Sequence, residues 1–203
     1  MNKETIDLGL FLLFPQEINS HTTSLREQYK DRATERYSLE SIPHISIFQG
    51  RFPTTIAGSF ESLLQQLRSK AVFRVTFIPQ LYVHTSNNLF WNAECDENFK
   101  TLQESACALL VPETRGMLLE QFQSLLDSPD SDPRDKELVR LYGFALAEER
   151  YMPHITLCNL KEEFTQLEYS HPELALVSEA TELSFGEIGA SGDIKKILAS
   201  LPL

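Results

Sequence analysis

Two short stretches of the chain carry side chains able to do acid–base chemistry at matched spacing. Pro43-His44-Ile45-Ser46-Ile47 and Pro153-His154-Ile155-Thr156-Leu157 share one pattern, 110 residues apart, in a chain with only five histidines. Side chains of an extended strand alternate faces with period two, so His44 and Ser46 share a face, and His154 and Thr156 do likewise. Ile45, Ile47, Ile155 and Leu157 then point to the opposite faces, toward a core. The leading prolines offer no backbone N–H, which suits the start of a strand. One such stretch alone reads most simply as a half-buried histidine satisfied at a sheet surface. Its repetition with the same residue types makes coincidence the weaker explanation.

Two imidazoles and two hydroxyls suit one kind of chemistry. Imidazole titrates near neutrality, so one histidine can take a proton while the other, protonated, gives one. Flanking hydroxyls can donate hydrogen bonds to the non-bridging oxygens of a phosphoryl group as charge develops. This is a metal-free route to in-line displacement at a phosphodiester.

The paired tetrapeptides, His44-Ile45-Ser46-Ile47 and His154-Ile155-Thr156-Leu157, resemble the signature of the two-histidine (2H) phosphoesterase superfamily. That superfamily includes cyclic phosphodiesterases and the bacterial 2'-5' RNA ligase-like proteins. Similar context extends over most of the chain: the apolar first strand, NNLFWNAECDENFKTLQESA between the motifs, LYGFALAEERYMPHITL, and the closing ILASLPL. The resemblance implies that His44 and His154 are the catalytic pair and that Ser46 and Thr156 hold the phosphate. It also implies a bilobal fold with pseudo-two-fold symmetry and a cleft between two antiparallel sheets, helices lying outside. The expected activity is metal-independent hydrolysis of a 2',3'-cyclic phosphate on a small nucleotide or short RNA end, by a cytoplasmic monomer. A non-catalytic nucleotide-binding module using the same cleft is the alternative, and an interaction protein docking through DSPDSDPRD a more distant one. The wide motif spacing points to an insertion or loop over 112–140 within one bilobal domain, 1–203. Ser46 replaces the frequent threonine and keeps the hydroxyl.

Tyr151 and Phe48 lie near the motifs and are candidates to stack on a base, Phe48 sharing the His44 face if its strand is regular. Core packing is an equal reading for both. Arg51, Arg150 and Lys161 are candidate phosphate-pocket charges, though ordinary solvated residues explain each better. His21, His84 and His171 have no metal-ligand spacing with one another or with cysteine, so neither metal nor cofactor is expected. Cys158 stands on the His154 face if the strand is regular, which makes a Cys–His nucleophile conceivable but weak. There is no GxSxG elbow, and GASGD lacks the strand–loop–helix context of a phosphate loop.

Composition narrows the partners. A length of 203 residues with 42% hydrophobic content suffices for a real core. Eighteen basic against twenty-nine acidic residues give a net charge of −11. That balance argues against a long nucleic-acid surface, though not against a small anion in a local pocket. Cys95, Cys107 and Cys158 are scattered, without CxxC, and read as reduced thiols. The N-terminal apolar run of about seven residues, Leu8 to Phe14, reads as a strand rather than a leader, and no window is long enough for a membrane span.

Patterning supplies the elements that must position the motifs. A buried strand is expected at 8–14, an exposed helix over most of 20–37 and the first histidine strand at about 43–49, closed by Gly50. An amphipathic helix follows at 54–71, capped by Thr54 or Thr55, with apolar residues at three- and four-residue steps. Strands at 72–85 and 88–95 flank a turn at SNN, and Asp96 caps a helix ended by Pro112. Residues 113–135 hold at most one helix before a Pro/Asp/Ser-rich surface loop. The second histidine strand follows at about 152–158, then a polar helical piece at 161–170 and closing strands around GASGD. Mixed order with hairpin-length turns predicts an α+β fold with antiparallel sheets.

Overall fold

The apolar run near the N-terminus becomes the inner strand of a sheet. The computed structural model describes residues 4–34, 41–71, 74–84, 86–165 and 169–203. In chain order its first half contains β1 (Thr5–Leu13), α1 (Gln16–Tyr29), β2 (His44–Pro53), α2 (Phe60–Arg68), β3 (Arg74–Val83), β4 (Asn88–Ala93) and α3 (Glu97–Thr114). The second half adds α4 (Glu120–Asp127), α5 (Pro133–Tyr142), β5 (His154–Asn159), β6 (Tyr169–Ser170), β7 (Val177–Glu179), β8 (Glu182–Ile188) and β9 (Ile194–Pro202).

Two antiparallel sheets result, as the α+β expectation required. The first runs β2-β1-β8-β9, the second β5-β4-β3-β6 with β7 also paired to β3. Leu8 through Leu12 are buried without alternation, as suits a strand with neighbours on both edges and both faces covered. Equivalent strands occupy equivalent places, β2 with β5 at one edge and β1 with β4 next in, giving the pseudo-two-fold relation. β2 and β5 lie side by side although they belong to different sheets. Helices pack outside and crosswise: α1, which follows β1, lies on β5, and α3, which follows β4, lies on β2. In the core Trp91 meets Phe77 at 4.3 Å between ring centroids, and its indole N–H donates to the Ile78 carbonyl.

Several boundaries move for identifiable reasons. α1 begins at Gln16, behind Pro15 and with no side-chain cap, rather than at the Ser/Thr cluster near residue 20; the expected helix residues 35–37 lie outside the described residues. It is also less exposed than its polar sequence suggests, since Ile18, Thr22, Leu25, Arg26 and Tyr29 are buried. Gly50 does not end β2, which continues to Pro53. Residues Thr54–Ser59 form a 3-10 turn before α2, so the predicted cap at Thr54 or Thr55 is displaced. The expected strand residues 72, 73 and 85 lie outside the described residues, and 161–170 holds a 3-10 turn, Glu162–Phe164, and the short β6, with 166–168 again outside.

The region expected to be mostly loop contains α4 and α5. Pro112 does not end α3, which runs two residues further to Thr114 and closes on Arg115 in the left-handed region. The Pro/Asp/Ser stretch works as a helix start: Asp132 accepts from the Arg134 and Asp135 amides, and Pro133 occupies the first turn. At the other capping site, Asp96 accepts from the Asn98 and Phe99 amides as the sequence indicated.

Candidate functional site

Both histidines open their strands, and both imidazoles are held in the same way. His44 Nδ1 lies 2.8 Å from the Ile42 carbonyl and His154 Nδ1 lies 2.6 Å from the Met152 carbonyl. Each carbonyl belongs to the residue before the proline, a position biased to extended backbone. Nδ1 must donate to a carbonyl, which fixes the neutral tautomer with its lone pair on Nε2; the His44 ring also has the Gly192 backbone within hydrogen-bonding reach, a contact His154 lacks among the described residues. An aromatic ring steadies each imidazole. Phe11 meets His44 edge-on at 4.5 Å, and Phe90 stacks on His154 at 3.7 Å.

The register explains how those rings arrive there. Phe11 is the cross-strand partner of Ser46, and Phe90 is the partner of Thr156. Residues directly opposite in an antiparallel pair share a face, so each motif faces the same way as the ring beside it. Phe11 lies over Gly9, where a Cβ would stand 2.1 Å from the Phe11 ring; only glycine leaves that space.

A bulge falls at the last residue of each motif. The β1–β2 register skips Ile47, passing from Phe11↔Ser46 to Leu10↔Phe48, and the β4–β5 register skips Leu157, passing from Phe90↔Thr156 to Leu89↔Cys158. An extra residue reverses parity beyond it. His44, Ser46 and Gln49 therefore sit half-buried on one face, as do His154, Thr156 and Asn159. Gln49 Nε2 donates to Ser46 Oγ at 3.1 Å, a contact that the strict alternation did not anticipate.

The bulges also correct two expectations. Phe48 does not share the His44 face; it is 1% exposed and packs against Phe52 and Phe144, so it offers no stacking surface. Cys158 likewise turns inward, buried at 2%, with its thiol pushed up to about 11 by burial, the wrong direction for a nucleophile. Tyr151 is buried too, its hydroxyl donating to the Ser46 carbonyl at 3.3 Å.

Burial pushes the pKa of His44 down to about 4, against the favourable hydrogen bond to Ile42, with the Arg26 charge lowering it further and Asp193 opposing. Burial does the same to His154, also to about 4, and positive charge on His44 or His84 lowers it further. The charge of His44 thus acts on His154, and burial favours the neutral form of both imidazoles. Arg51, Arg150 and Lys161 are engaged elsewhere: Arg51 pairs with Asp7 through two bonds of 2.7 and 2.9 Å, Arg150 with Asp132 and Asp135, and Lys161 with the Asp31 carbonyl.

Three residues near the motifs gave no usable sequence signal. His84 lies 5.5 Å from Phe90 between ring centroids and accepts the Ser86 amide proton at Nδ1, leaving its N–H on Nε2. Tyr82, directly opposite Phe90, shares the face of His154 and is 44% exposed. Arg26, by contrast, is 2% exposed behind the motifs. On the first lobe the corresponding flank is closed: Phe11 is fully covered and packs with Leu119, Ile188 and Ile194, with Phe122 of α4 against them.

No protein-family model matches the sequence, and no curated protein matches it. Solved structures do match along nearly the whole chain. TT0787 of Thermus thermophilus is 16% identical, with 98% of each chain covered and a TM-score of 0.58. Escherichia coli LigT complexed with phosphate is 15% identical over 99% of each chain, TM-score 0.58. The same protein complexed with 3'-AMP is 14% identical over 98% of this chain and 96% of that one, TM-score 0.57. At these identities the likeness is one of fold: the chain has the bilobal architecture of LigT and TT0787.

Proposed function

We propose that the chain is a 2H-type phosphoesterase that opens the 2',3'-cyclic phosphate of a small nucleotide or a short RNA end. The observation that carries this reading is the doubled half-site: His44 with Ser46 and His154 with Thr156, each imidazole fixed through Nδ1 so that Nε2 is the reactive atom. One Nε2 takes a proton from the attacking water as its oxygen bonds to phosphorus. The other, protonated, gives its proton to the departing ribose oxygen as that P–O bond breaks. The Ser46 and Thr156 hydroxyls donate to the non-bridging oxygens, where charge gathers in the transition state. Burial disfavours the charged imidazole, and a bound phosphate anion opposes that by favouring an imidazolium beside it, which supplies the acid. The nucleoside rests on the open flank of the second lobe, where Tyr82 offers a ring face. LigT structures bearing phosphate and 3'-AMP lend this ligand class support through the shared fold.

The test is hydrolysis of 2',3'-cyclic mononucleotides and cyclic-ended oligonucleotides with chelator present, in wild type, His44→Ala and His154→Ala. Turnover in the wild type and its loss in both variants is expected; wild-type rates in either variant would end the proposal. The low pKa of both imidazoles favours one other reading, a module that binds nucleotide without turning it over. Calorimetric binding with no product by chromatography would select it.

A further inference from the structure

β2 and β5 come from different sheets, yet they must hold two imidazoles at one spacing to bracket a single phosphorus. Their fastening runs through carbonyls rather than through a β-ladder. Tyr151, three residues before His154, donates its hydroxyl to the Ser46 carbonyl at 3.3 Å. Burial raises that phenol's pKa, so the hydroxyl stays a donor. Ser41 occupies the matching place before His44, and its buried hydroxyl has no hydrogen-bond partner among the described residues. Arg26 fills that role from α1. Its guanidinium donates to the Ser41 carbonyl at 2.5 Å and to the Thr156 carbonyl at 2.9 Å. One planar, buried group therefore holds the approach to the first motif and the centre of the second.

We propose that Arg26 is a positioning residue that clamps the two half-sites, with Tyr151 as the weaker second tie. The proposal rests on the two-histidine reading for its kinetic consequences, though not for its geometry. Guanidinium suits the task because it is planar, always charged and offers donors in a fixed fork, which a lysine cannot reproduce. A misplacement of about 1 Å between reacting groups costs on the order of 10²-fold in rate. Loss of the clamp is therefore expected as a kcat effect, since both side chains are buried. A second consequence is electrostatic. The charges of Arg26 from α1 and Asp193 from the β8–β9 turn act on His44, the Arg26 charge opposing its protonation, and His44 in turn acts on His154 of β5.

The experiment uses Arg26→Met, Arg26→Lys and Tyr151→Phe in the full chain. Folding is checked by near-UV circular dichroism, and the imidazoles are titrated by NMR on histidine-labelled protein. For folded Arg26→Met, kcat should fall about 10²-fold with KM changed less than about threefold. The His44 titration midpoint should move up, and millimolar guanidinium should restore part of the rate. Arg26→Lys should recover only part of the rate, and Tyr151→Phe should lose several-fold less than Arg26→Met. Wild-type kcat in folded Arg26→Met, or a rate that falls only in step with the folded fraction, overturns the clamp. If the wild type hydrolyses no cyclic phosphate, the phosphoesterase reading fails by itself. The clamp is then judged by the NMR spectra, where unmoved chemical shifts of both the His44 and His154 imidazoles in folded Arg26→Met overturn it.

Discussion

The two half-sites match in backbone and differ in surroundings. Histidine, hydroxyl residue, bulge and amide side chain follow in the same order on β2 and β5, and an aromatic ring from the next strand meets each imidazole. Beyond those rings the likeness stops. On the first lobe Leu119 and Phe122, from the stretch between α3 and α5, lie with Phe11 in a small apolar cluster. On the second lobe the place beside Phe90 holds His84 and the exposed Tyr82. Under the proposed function, the matched parts would serve a phosphate, which itself has near-symmetric oxygens. The unmatched flanks would then serve a substrate whose two ends differ.

The comparison breaks most visibly if the histidines are unequal. His44→Ala and His154→Ala are each expected to reduce hydrolysis by roughly 10²–10⁴-fold, the range for general acid–base groups. The double variant should be little worse than either single one, because the pair acts as a unit. Steady-state kinetics on a cyclic mononucleotide decides it. Ser46→Ala and Thr156→Ala come next, with losses on the order of 10–10²-fold, and Thr156→Ser should retain most of the rate because the hydroxyl survives.

The flanks should separate binding from stability. Tyr82→Ala is expected to raise KM by about 5–100-fold, the equivalent of about 1–3 kcal/mol of stacking, at nearly constant kcat. Leu119→Ala should cost about 2–5 kcal/mol of folding stability in urea melts, as a cavity-forming change does, while leaving KM alone. Equal KM effects would erase the distinction between an open and a covered flank.

The smallest effects concern protons. Both histidines have folded pKa values below the unfolded value of 6.5, so they contribute stability that is complete above pH 6.5 and is lost as pH falls toward 4. Urea melts across that window should lose on the order of 1–3 kcal/mol per histidine, and a His44→Gln variant should show a shallower slope. Phosphate binding should take up a proton at pH 7, read by calorimetry in buffers of different ionisation enthalpy.

The half-sites were legible as far as strict alternation carries. His44, Ser46, His154 and Thr156 fall on their expected faces because all four precede the bulges at Ile47 and Leu157. Phe48 and Cys158 follow the bulges, and nothing in a run of apolar residues announces where one extra residue will be accommodated. The α+β class and antiparallel pairing also followed from patterning, since hydrophobic period and turn spacing are local properties. Arg26, Tyr82 and His84 were silent for a different reason: their roles arise from strands and helices far apart in sequence. α5 was hidden because Asp132 and Pro133 are turn formers in one context and a helix start in another.

The order of strands in the first sheet has a consequence for how the chain acquires its structure. β1 lies between β2, its near neighbour in sequence, and β8, which is made some 170 residues later. The strands β3, β4 and β5 lie wholly between these two, so the second lobe is nested inside the first. During synthesis from the N-terminus, β1 holds one unpaired edge with the buried-type residues Leu8, Leu10 and Leu12 until the closing hairpin emerges. Closing a loop of that length is slow, and an unpaired apolar strand is open to wrong partners meanwhile. The half-site carried on β2 thus lies in a sheet completed only after the strands of the second lobe have been made, whereas the half on β5 has its neighbours at hand earlier.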